Sequence, residues 1–299
     1  MNKLIILTLL ILSPFSLHAD LNIFACEPEW AALATELGGD KVDVSSATNA
    51  LQDPHYIQAR PSLISKVRRA DLIVCSGAQL EIGWLPMLLR KGNNPNVIPG
   101  TPGFLEAGQY VKRLDVTQDS DRSQGDVHPQ GNPHIQTNPY NILLVADAMT
   151  DRMVLLDPNN AATYQQNLSD FRQRWTVAIA TWEERAVELQ SKRVIAHHNS
   201  WKYLEAWLGL IQVATLEAVS GIPPTASHLG SLLERFDNKG ADFIIRAPFQ
   251  SEKASDWLSE HTGIPAVLLP LTVGGTDQAT DLFTWFDDII NRLLAAGDL

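Results

Sequence analysis

The sequence predicts an α/β fold of two lobes, each built on a mostly parallel sheet flanked by helices, with one long helix spanning both. Short β-like runs alternate with helical segments along the chain, the pattern of parallel strands with covering helices. The chain has 299 residues, more than one ordinary hydrophobic core holds, so two lobes are expected. Residues 161–190 contain no Gly or Pro, and Leu168, Phe171, Trp175, Ile179, Trp182, Ala186 and Leu189 recur there at helical spacing. A helix of roughly 30 residues would be about 45 Å long, enough to run behind both lobes.

The first 19 residues combine a basic start at Lys3, an apolar run over 4–17 and Ala19 ahead of the polar Asp20. This is a secretory leader, cleaved near Ala19, because the run is too short to cross a bilayer. The first lobe, 20–156, then reads as strand 21–25, helix 28–37 closed by Gly38 and Gly39, and strand 42–47. A loop bearing His55 follows, then helix 61–69, strand 71–75, a turn at Gly77, helix 80–89 and strand 96–98. A weaker strand-like segment, 110–116, and a polar connection, 118–124, lead to a loop with His128 and His134, and helix 140–155 completes the lobe. The connecting helix, 157–191, opens on Asp157-Pro158-Asn159-Asn160, which has helix-start chemistry. The second lobe, 192–299, repeats the alternation: strands at 193–196, 212–217, 242–246 and 266–269, and helices at 201–208, 227–236, 251–262 and 277–296.

The formal charge is −11, and −12 once Lys3 leaves with the leader. An acidic exported protein does not suit nucleic acid or anionic lipid; a cationic ligand suits it. Cys26 and Cys75 each follow a β-like run. If those strands are neighbours the sulfurs lie close at one sheet edge, which leaves two outcomes open: a disulfide in an oxidising compartment, against which the poor bridging geometry of adjacent parallel strands counts, or buried free thiols. Cys26 also invites a lipoprotein reading, but Asp20 and Asn22 interrupt the apolar run and bulky Phe24 precedes the cysteine, so a free periplasmic protein is expected.

Gly125-Asp126-Val127-His128-Pro129-Gln130-Gly131-Asn132-Pro133-His134 sets two histidines among turn residues that exclude regular helix or strand. His134 reads as a metal ligand. Asp53-Pro54-His55 and His197-His198-Asn199-Ser200-Trp201 have the same character, and His55 and His198, like Glu217 and the loop 272–277, follow strands. In parallel sheets the loops at the carboxyl ends of strands form the ligand crevice. His228 and His261 fall on helices and read as structural.

These stretches, with Arg60-Pro61-Ser62, Ala70-Asp71-Leu72-Ile73-Val74, Gly77, Glu81 and the continuation Lys202-Tyr203, resemble the periplasmic zinc- and manganese-specific solute-binding proteins of metal ABC importers over essentially the whole mature chain. The resemblance implies two lobes joined by a single rigid helix, metal buried between them, and ligands at His55, His134 and His198, with His197 facing away. It also implies an ABC metal permease in the inner membrane as partner, a periplasmic metal chaperone as a further candidate, and a monomer. The family's usual aspartate after the last strand is replaced by Leu268-Leu269-Pro270-Leu271. Asp277, the nearest carboxylate, is taken as the fourth donor, although it also resembles the N-cap of the final helix. His128 and Glu217 are the alternatives, with water. The family's long histidine-rich insertion is missing; only His128, Asp119, Asp121 and Asp126 occupy the corresponding loop.

Three imidazoles and one oxygen suit Zn2+ better than Mn2+, which takes more oxygens. Mn2+ or another divalent transition metal is the alternative cargo. A zinc hydrolase is the enzymatic alternative, opposed by the lack of a His-Glu-x-x-His helix and of an obvious carboxylate base beside a histidine ligand. An adhesive protein with incidental histidines is a third reading.

Overall fold

The computed structural model describes residues 20–117, 125–237 and 240–297. The leader over 1–19, with Asp119 and Asp121, lies outside the described residues. The first sheet is formed by β1 (Leu21–Ala25), β2 (Val42–Ser46), β3 (Leu72–Cys75) and β4 (Phe104–Glu106), all parallel, in the order β2-β1-β3-β4. Its helices are α1 (Pro28–Gly38), α2 (Pro61–Arg69), α3 (Leu85–Gly92) and α4 (Pro139–Leu156). The second sheet repeats the layout: β5 (Arg193–Ala196), β6 (Ile211–Thr215), β7 (Phe243–Arg246) and β8 (Ala266–Leu268), parallel, in the order β6-β5-β7-β8. Among its helices, α6 is Lys202–Leu208, α7 Ala226–Phe236, α8 Glu252–Thr262 and α9 Leu282–Gly297. β3 is buried at all four positions, as an unbroken apolar run in a sheet covered on both faces requires.

The long helix α5 (Ala161–Arg185) has 25 residues and ends in a 3-10 turn over Ala186–Leu189, shorter as an α-helix than the sequence suggests. Its buried face is Tyr164, Phe171, Trp175, Ile179 and Trp182. Asn167 donates to the Leu37 carbonyl of α1 (2.9 Å), and the Trp182 indole donates to Asp287 of α9 (2.9 Å) and stacks on Phe286. One apolar cluster therefore runs from β1 through α5 to β7 and α9, which makes the helix a stiff spine for both lobes. No helix among the described residues is long and apolar enough to cross a membrane.

Four local expectations are corrected. Residues 80–84 are turns, and the helix begins at Leu85. Residues 96–98 are not a strand: the Asn94 side chain accepts from Asn96 N beside Pro95, which winds Pro95–Val97 into a 3-10 turn. The fourth strand of the sheet is the three-residue β4, and 110–116 holds no strand. The last helix starts at Leu282 rather than 277, because Asp281 Oδ1 accepts from the Phe283 and Thr284 backbone amides (2.8 Å each) and supplies the N-terminal cap.

Cys26 and Cys75 form a disulfide, with Cα atoms 4.8 Å apart. Parallel register pairs Ala25 with Val74, so the next residue of each strand falls side by side. Beside it the lobes meet over three buried glutamates, Glu27, Glu29 and Glu81. Ser76 and Gly77 donate to Glu27 and Glu81, and Thr272 of the second lobe donates to Glu29 (2.5 Å). Burial raises all three carboxyls: Glu27 well above its ordinary value, Glu29 and Glu81 to about 7. A carboxyl that keeps its proton longer in the folded chain than in the unfolded one stabilises fully below its ordinary value of 4.5, and that contribution is lost as pH rises through about 7. Glu29→Gln, which keeps an acceptor for Thr272, is therefore expected to match the unmodified protein in melting temperature near pH 4.5 and exceed it at pH 8. A gap that does not change with pH would refute the assignment.

Candidate metal centre

Each histidine of the cleft is held by its own short motif. In Asp53-Pro54-His55, Asp53 Oδ1 accepts from both the His55 amide (3.0 Å) and His55 Nδ1 (2.7 Å), while the Pro54 carbonyl accepts from the buried Trp84 indole (2.8 Å). Burial pushes the Asp53 carboxyl up, but its contact with His55 outweighs that and holds it below its ordinary value. In Gly131-Asn132-Pro133-His134, Gly131 has φ +110°, and a Cβ there would lie 2.8 Å from the Leu114 carbonyl. Asn132 Oδ1 accepts from the His134 amide (3.0 Å), its Nδ2 donates to the Asn199 carbonyl (2.6 Å), and its own carbonyl accepts from Tyr203 (2.9 Å). The Asn199 and Tyr203 contacts tie the Gly-Asn-Pro-His loop of one lobe to the His-Asn-Ser-Trp-Lys-Tyr segment of the other.

His198 follows β5, and Glu217 lies just beyond β6. Ala196 pairs with Thr215, so parallel register sets His198 level with Glu217, whose Oε2 accepts from His198 Nδ1 (2.7 Å). His128 donates through Nδ1 to the Ala78 carbonyl (3.2 Å), in a turn where Gly77, Ala78 and Gln79 all have positive φ. Three of the four imidazoles thus have Nδ1 committed as a donor, leaving Nε2 with a bare lone pair.

His55, His134 and His198 converge: one ligand nitrogen from each lies within 4.8 Å of the others, and all three are buried. His55 Nε2 and His128 Nε2 are 3.3 Å apart. Two lone pairs at that distance repel unless a cation sits between them, and tetrahedral bonds of about 2.05 Å place two nitrogens roughly 3.3 Å apart. His134 is 1% exposed, and neither ring nitrogen has a partner. Burial first, then the neighbouring His55, keeps its pKa well below the ordinary value; the same two causes, in the same order, push His128 down to about 4. Both are therefore neutral and available as ligands near neutral pH.

Asp277 is not part of this group. It is exposed on the loop before α9 and outside the cluster of converging nitrogens; a carboxylate near a helix start looks the same in sequence whether it caps, coordinates or does neither. Glu217 orients a histidine through Nδ1. Asp53 does the same for His55, so carboxylates do stand beside the histidines, on the side away from the converging nitrogens, where they act as orienting groups. His197 is buried, with Nδ1 unpaired and Nε2 3.9 Å from Glu217 Oε1, and it borders the same cleft as His198, contrary to the expectation that it faces away. His228 and His261 are engaged with the Thr215 and Trp257 carbonyls, 2.9 and 2.7 Å away. Asp53→Ala and Glu217→Ala are each expected to weaken metal binding about 10- to 100-fold without changing stoichiometry, the usual cost of an outer-sphere partner. Isothermal titration checks this, and unchanged affinity in both would remove the orienting role.

Residues 23–296 match the family described as zinc-uptake complex component A, periplasmic. The metal ABC transporter substrate-binding lipoprotein SsaB of Streptococcus sanguinis is 22% identical over 96% of this chain and 95% of its own. The manganese ABC transporter substrate-binding lipoprotein scaA of Streptococcus gordonii is 22% identical over 84% and 79%. Among solved structures, a crystal structure of ZnuA superposes with TM-score 0.75 at 22% identity, covering 92% of this chain and 99% of that one. A Mn-bound periplasmic metal-binding protein from Candidatus Liberibacter asiaticus gives 0.72 at 16% identity, covering 92% and 98%.

Proposed function

Because the chain belongs to the zinc-uptake complex component A family, we propose that it captures Zn2+ between its lobes on His55, His128, His134 and His198 and delivers it to an ABC permease. As a member of that family it is a metal-binding receptor of an ABC importer and not an enzyme. The observation that carries the choice of ion is the pair of facing Nε2 atoms of His55 and His128, 3.3 Å apart, beside the unpartnered His134. Four imidazoles are a borderline-soft tetrahedral set, which favours zinc; manganese prefers six mainly oxygen donors. The relatives named for manganese are the argument for Mn2+ as cargo, and the donor set weighs against it.

The receptor acts as a monomer in the periplasm, to which the leader ending near Ala19 sends it, between a first lobe of 20–156 and a second of 192–299 joined through 157–191. The inner-membrane permease is its partner, and a periplasmic metal chaperone is a candidate for loading it. Cys26 is not free to take a lipid such as the relatives named as lipoproteins carry, because its sulfur is bonded to Cys75. Competition titration tests the ion. One tight equivalent of zinc is expected, displaced by manganese only in large excess and lost on combined replacement of His55, His134 and His198. Manganese binding as tightly as zinc would sink the zinc assignment.

A further inference from the structure

We infer that Tyr56, Asp126 and Gly221 form a clasp across the cleft that positions His128 over the ion and sets how long the ion stays; this rests on the receptor reading above. Asp126 stands two residues before His128 on the loop of the first lobe. Its carboxylate accepts from the Tyr56 hydroxyl (2.8 Å), next to His55, and its amide donates to the Ser220 carbonyl of the second lobe (2.8 Å). Gly221 then donates to Glu217 Oε2 (2.7 Å), the same oxygen that holds His198. An unbroken chain of contacts therefore joins the neighbourhoods of His55, His128 and His198 across both lobes.

The two strands of the clasp meet without room for side chains. Gly125 and Gly221 have φ of +94° and +79°; a Cβ on the first would overlap the Ser220 carbonyl, and one on the second the Asp126 carboxylate. The clasp also divides the cleft. Cavities of about 470 and 390 Å3 open on either side of it, and His55, Asp126 and Gly221 border both. His128 is the one imidazole of the four whose nitrogens lie outside the tight three-histidine group, so its place over the ion depends on the loop that carries it. Tyr56 and Asp126 are positioning residues: they touch no ion and act by keeping His128 within bonding reach.

Chelator-chase stopped flow on the full-length exported protein tests this. Asp126→Ala and Tyr56→Phe are each expected to release zinc about tenfold faster, the order of effect of losing one hydrogen bond to a charged group. Association rates and the melting temperature of the ion-free protein should stay unchanged. Asp126→Asn, which keeps an acceptor for Tyr56 and the backbone donor, should restore slow release, and Gly221→Ala should speed it. Release unaltered in Asp126→Ala, or equally fast in Asp126→Asn, would overturn the clasp, the latter by showing that only the charge matters. If the unmodified protein binds no zinc, the receptor reading falls and the clasp with it. If it binds zinc and the variants release it at the same rate, only the clasp falls.

Discussion

His134→Leu is expected to abolish tight zinc binding and, in the ion-free protein, to raise the melting temperature. The two effects have one cause. His134 is 1% exposed and offers two ring nitrogens with no partner. A buried polar group left unpaired costs about 1–3 kcal/mol, which a leucine of similar volume removes. Losing one of the four proposed ligands should weaken zinc roughly a hundred- to a thousandfold, taking about a quarter of the 10–16 kcal/mol that tetrahedral protein zinc sites supply. Zinc at 1,000 times its dissociation constant stabilises a protein by about 4 kcal/mol, so the unmodified protein should melt well above the variant with zinc and below it without. Differential scanning fluorimetry in chelator and in excess zinc reads both signs. An ion-free variant that melts lower, or one that still responds fully to zinc, would show that His134 is a packing residue.

The alternation of strand and helix made both sheets and the connecting helix readable, because apolar runs like Leu72–Cys75 and the spaced aromatics of α5 owe their pattern to burial. The three histidine motifs were readable for a different reason: Pro, Gly and Asn around them fix backbone geometry locally. What stayed open, with His128 and Glu217 standing only as alternative donors, depends on distance along the chain. Glu217 reaches His198 only through the register of β5 on β6, and His128 reaches the cleft only through Ala78 and Ser220 of remote turns. Asp277, expected as the fourth donor, lies exposed and apart from the converging nitrogens, because proximity to a helix start carries no information about which way a carboxylate faces. β4, at three residues, is too short to show a period. The Asp53 contact to His55 spans two residues and was within reach of local turn chemistry.

The disulfide offers a separate and equally large test, since nothing in zinc coordination requires it. Replacing both Cys26 and Cys75 with alanine is expected to destabilise the ion-free protein by about 4 kcal/mol, the chain-entropy value for the separation of 49 residues that the bond closes. At roughly 2–4 °C per kcal/mol for a chain of this size, the melting temperature should fall by about 10 °C. Both cysteines are fully buried at the ends of adjacent strands, and the proposed ligands stand on other segments: the loops after β2 and β5 and the loop before α4. Below its melting temperature the variant should therefore still bind one equivalent of zinc with little change in affinity. The β1–β3 edge also carries Glu27 and Ser76, so the loss should be sharper at pH 8, where the buried glutamates press the same edge apart, than near pH 5. A fall of less than about 2 °C would mean that packing of the paired strands alone holds this edge, and lost zinc binding in the folded variant would mean that the bond shapes the cleft as well.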